Sequence, residues 1–124
     1  MEKLLDLSMS AEYNLIVDKN KSLSASVSCT YFSGNTENTF DFFVYTGSTL
    51  TVKNNSGTIV QTFSTIDGSI SLLVGGVFKL IKTAEEMDTV RSGEYNYDMY
   101  LSNTTYPKRA FLRGKITYIQ NTSN

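Results

Sequence analysis

Few residues in this chain could do chemistry: one thiol, one acidic run, scattered carboxylates and a set of tyrosines. The sequence holds one cysteine, Cys29, and no histidine. Without an imidazole, neither a Ser-His-Asp nor a Cys-His nucleophilic arrangement can be assembled, and a His-containing zinc site is excluded. What remains is carboxylate and lysine chemistry, or a carboxylate-based metal site. Cys29 reads either as a reactive thiol or as a buried strand cysteine, and the buried reading is the expected one. Glu85-Glu86-Met87-Asp88 is the only acidic cluster. Calcium takes roughly six to eight oxygens around a Gly-assisted turn, which this spacing does not supply. A solvated crossover is therefore expected there, with no metal and no cofactor. Asp41 and Asp98 are the carboxylates a hydrolase would use, but no paired acidic motif accompanies them. No enzymatic activity is expected.

The remaining candidates are surface groups. Lys108-Arg109, Arg113 and Lys115, with Phe111 and Tyr118, make a small basic-aromatic patch, for which solvated strand charges are the default reading. The net charge of -1 supplies no basic field for nucleic acid or anionic lipid. No apolar run reaches the roughly 18 residues of a membrane span. Tyrosine occurs eight times. Exposed Tyr suits protein interfaces and stacking on sugars, and Tyr31, Tyr45, Tyr100 and Tyr106 are the interface candidates. Leu4, Leu5 and Leu7 join them as an N-terminal arm that could dock on a neighbour. The opening residues lack the apolar stretch of a secretory signal. The chain is expected to stay in the cell that makes it or to leave without such a signal.

These groups must be positioned by strands. The 124 residues suit one domain: an arm over 1–10, a sandwich over 11–120 and a polar tail over 121–124. Leu23, Ala25, Val27 and Cys29 alternate with Ser22, Ser24, Ser26 and Ser28, the period-two pattern of a strand above a core. An edge strand is expected around Tyr13–Val17. A polar loop is expected over 33–39, and a core strand over Phe40, Phe42 and Val44. Asn54–Gly57, Asp67-Gly68 and Gly75-Gly76 read as turns between further strands. Thr83 with Glu86 three residues on predicts one capped helical turn. Tyr95, Tyr97, Met99 and Leu101 share one face of a long strand, and Ile116, Tyr118 and Gln120 lie on the last. Short strands with turns every eight to twelve residues or so predict an all-β, immunoglobulin-like antiparallel β-sandwich with a short helical crossover.

The stretch Asp88-x-x-x-x-Gly93-x-Tyr95-x-Tyr97 narrows this further. In immunoglobulin-like sandwiches a Tyr near the start of a late strand bonds back to the chain upstream, and the residue two positions later points into the core. Tyr95 fits the first role and Tyr97 the second. Cys29 lies on the early strand, where antibody domains place half of a disulfide. The plainer alternative is that Tyr95 and Tyr97 are ordinary strand tyrosines.

Gly93-Glu94-Tyr95-Asn96-Tyr97-Asp98-Met99-Tyr100, followed by Arg109-Ala110-Phe111-Leu112-Arg113-Gly114-Lys115-Ile116-Thr117-Tyr118, resembles the ending of immunoglobulin-like domains in tailed-phage virion proteins. Among such families it is similar to the N-terminal domain of the phage baseplate upper protein. The resemblance covers about two thirds of the chain and is specific in its last third. It implies a structural virion protein (a decoration, head-fibre base, collar or baseplate component). Such a protein attaches to capsid, portal, tail or fibre proteins, forms a homo-oligomer and carries out no catalysis. The alternative is a carbohydrate-binding or adhesion β-sandwich module that reads glycans through exposed Tyr.

Overall fold

The computed structural model describes residues 11–105 and 107–120. Leu4, Leu5, Leu7, Tyr106 and the tail 121–124 lie outside the described residues. The chain begins with β1 (Ala11–Glu12), β2 (Leu15–Asp18), β3 (Leu23–Ser28), β4 (Thr30–Ser33) and β5 (Thr36–Thr39). A 3-10 turn at Phe42–Val44 precedes β6 (Gly47–Lys53), β7 (Ile59–Ser64), β8 (Ile70–Leu73) and β9 (Val77–Lys82). The short helix α1 (Ala84–Asp88) crosses over to β10 (Gly93–Ser102) and β11 (Arg109–Ile119).

The larger sheet runs β1-β11-β10-β6-β7, with β2 also on β11, and the smaller runs β3-β9-β8. β4 and β5 form a separate hairpin. The protein is thus an all-β sandwich with a short helical crossover. Its long strands, taken in chain order, give the two-sheet order of an immunoglobulin variable-type domain, with β3, β9 and β8 facing β11, β10, β6 and β7. The pairing is antiparallel except at β1 and β2, which run parallel to β11.

Alternation places the core. Val27 is buried on β3 while Ser24, Ser26 and Ser28 face solvent. Ser48, Leu50 and Val52 on β6 and Tyr97, Met99 and Leu101 on β10 turn inward. Burial of these side chains removes apolar surface from water at about 25 cal/mol per Å². Rings seal one end: Phe111 lies 4.9 Å from Phe40 and 5.5 Å from Phe42, between centroids. Two glycines allow close approaches. Gly76 has φ +73°, and a Cβ there would sit 2.7 Å from the Cys29 carbonyl oxygen. A Cβ on Gly114 would collide with the Tyr13 carbonyl, where the β1–β2 link crosses β11.

Two expectations need correction. Residues 40–45 are not a core strand. The Asp41 carboxylate accepts a hydrogen bond from the Phe43 N–H at 2.9 Å and caps the 3-10 turn, leaving Val44 exposed. Residues 33–39 are not simply a loop: Thr36–Thr39 pairs back on Thr30–Ser33, with Gly34 at φ +65° in the turn. The helical turn does form. Thr83 Oγ1 accepts from the Glu86 N–H, and the Glu86 carboxylate accepts from the Thr83 N–H, a complete capping box.

Candidate functional site

Tyr95 closes a tyrosine corner: its hydroxyl donates to the Arg91 carbonyl at 2.7 Å. Two residues on, Tyr97 is 2% exposed. Its hydroxyl donates to the Tyr13 carbonyl. Cys29 is buried in the same core cluster as Tyr97. Burial pushes the Cys29 thiol up to about 12, so it is protonated at neutral pH and is not a nucleophile there. Burial likewise raises Tyr97 and Tyr118 far above the usual phenol range. Tyr118 donates to Gln61 Oε1 at 2.6 Å, and Gln61 donates in turn to the Glu86 carbonyl.

The acidic run is absorbed by structure. Glu86 belongs to the capping box, where bonds from Thr83 lower its pKa, and Met87 is buried. Asp88 pairs with the nearly buried Lys19 at 2.7 Å. Among the described residues no group of carboxylates or thiols is placed to hold a metal ion. Phe111 and Tyr118 are core residues, so the basic-aromatic patch has no exposed ring from either of them.

Of the Tyr candidates, Tyr45 is corrected to a core residue. It is 7% exposed, and its ring stacks on Phe40 with centroids 6.3 Å apart. Tyr31 is half-buried against the core. Tyr100 lies on the outer face of the larger sheet.

Strand edges offer a contact surface. β7 pairs with β6 alone and β8 with β9 alone, among the described residues. The turn over 65–69 joins these two edge strands, so they share one flank. That turn is tightly bonded. The Ser64 N–H donates to Ser69 Oγ at 2.8 Å, and the Ser69 N–H donates to the Asp67 carboxylate at 2.9 Å. The same Ser69 bonds hold the Asp67 pKa below its usual value. At its tip Ile66 is 94% exposed. Ile59 on β7, Leu73 on β8 and Val74 in the turn after it are exposed. The 3-10 turn lies against β8 and adds the exposed Phe43 and Val44. Sequence reasoning did not mark these six as a contact surface: Phe43, Val44, Ile59 and Val74 read as parts of alternating strands, and which strands end as edges leaves no local trace. The Asp67-Gly68 turn signal was the available clue.

No protein-family model matches this chain, and no curated protein matches it.

Proposed function

We propose that this chain is a non-catalytic structural protein of a tailed-phage particle, attached through the β7–β8 flank to other virion proteins and to further copies of itself. The observation that carries this reading is the flank: two edge strands, each paired on one side only among the described residues, with six large apolar side chains exposed on or beside them. Open edges present donors and acceptors for strand addition, and clustered apolar side chains mark contact surfaces. The resemblance of Gly93–Tyr100 and Arg109–Tyr118 to phage immunoglobulin-like domains supplies the setting, a virion assembled in the host cytoplasm. A stable contact needs more than about 1,000 Å² of buried surface, which symmetry repeats around a particle.

The test is incorporation. Particles are assembled with the wild-type chain or with an Ile66→Asp, Val74→Asp double variant, and the bound copies are counted by immunoblot. The variant keeps its β-rich circular dichroism and is lost from particles. Equal incorporation of a folded variant would remove the flank from the account.

A further inference from the structure

A second surface adjoins that flank at Ile59 and extends over the outer face of the larger sheet. There Thr49, Thr51 and Lys53 of β6 stand beside Asp98, Tyr100 and Ser102 of β10. Ile59, Pro107 and Lys108 close the sides of a groove of about 440 Å³, within the size of small-ligand sites.

The polar groups in this groove are unspent. Among the described residues, no hydrogen bond or ion pair engages the Asp98 carboxylate, the Lys53 ammonium, or the hydroxyls of Thr49, Thr51 and Ser102. Asp98 is half-buried, and the Arg113 opposite it in the register makes no ion pair with it. Elsewhere Lys19, Lys21, Lys82 and Lys115 each meet a carboxylate. The Lys108 ammonium instead sits 4.5 Å from the centre of the Tyr100 ring, which fixes a cation and an aromatic surface side by side.

We infer that this groove binds a carboxylate-bearing saccharide. Sugar hydroxyls both donate and accept, which matches a carboxylate acceptor set among three hydroxyls. Asp98 accepts from ring hydroxyls, and Thr49, Thr51 and Ser102 satisfy the others. The Tyr100 ring, Ile59 and Pro107 take the C–H face. Two ammonium groups against one carboxylate leave a net positive groove, and Lys53 and Lys108 receive the ligand's acid group. An acidic peptide would satisfy the lysines but would leave Asp98 facing like charge.

The site shares Ile59 with the attachment flank but is probed at Asp98 and Tyr100, which the flank does not include. It is tested by titrating the isotope-labelled full chain with tetragalacturonate, a sialic acid oligomer, neutral maltotetraose and a heptaglutamate peptide, followed by NMR. At least one acidic saccharide should move the amide signals of Thr49, Thr51, Asp98 and Tyr100 at low-millimolar concentration. Asp98→Asn, which preserves shape, and Tyr100→Ala should each weaken binding roughly tenfold or more. Silence toward both acidic saccharides would overturn the inference. So would equal binding of maltotetraose, tighter binding of the peptide, or unchanged binding by the folded Asp98→Asn variant.

Discussion

Tyr95 and Tyr97 show how much two side chains hold. The Tyr95 hydroxyl ties β10 to the chain just upstream, and the Tyr97 hydroxyl ties it to Tyr13. Tyr95→Phe should cost about 1 kcal/mol, the net worth of one hydrogen bond, as read from urea unfolding. Tyr97→Phe should cost more, because the hydroxyl it removes is buried. The buried acids give a pH signature. Cys29, Tyr97 and Tyr118 all have folded pKa values above their unfolded ones. The folded state therefore holds protons that the unfolded chain releases once pH passes about 9 to 10. Stability attributable to these groups is intact below about pH 9 and falls as pH rises further, Cys29 contributing first and the two phenols only above about pH 10. Thermal melts between pH 8 and 11 should show this decline, and Cys29→Ala should reduce its slope. The roles of Tyr95 and Tyr97 were legible in their spacing after Gly93. The burial of Tyr45 was not, because a ring at a turn gives no period to read.

At the scale of elements, local chemistry predicted what it could reach. Thr83 and Glu86 announced α1 because a capping box is a contact within four residues. Thr83→Ala should cost about 1 kcal/mol and shift unfolding to lower temperature. The serine alternation announced β3, and Asn54–Gly57 announced the β6–β7 hairpin. The failures fall at residues 30–45. There the capping bond that Asp41 accepts from Phe43 breaks an apolar alternation, and a hairpin forms whose return strand, Thr36–Thr39, is polar throughout. The parallel docking of β1 and β2 on β11 was also hidden, since partners about a hundred residues apart leave no local trace. Gly114 is the hinge of that docking. Gly114→Ala puts a methyl group against the Tyr13 carbonyl and should cost at least about 2 kcal/mol. Amide exchange would show the loss first in β1 and β2.

For the whole molecule, the sandwich presents two adjoining surfaces on one frame. Among the described residues, the flank of β7 and β8 carries apolar side chains beside open edges, and the outer face of β6 and β10 carries polar groups without a protein partner. The sequence read the frame well and the surfaces poorly, because exposure at Ile66 or Val74 depends on which strands end up as edges. Disrupting the flank should lower self-association of the purified chain without changing its melting temperature by more than a few degrees, as measured by sedimentation. The central claim is membership of a particle. Quantitative mass spectrometry of tailed particles purified from a culture that encodes this chain tests it most directly. The account predicts the chain at a fixed, symmetric copy number per particle. Its absence from purified particles, while abundant in the surrounding lysate, would contradict the account.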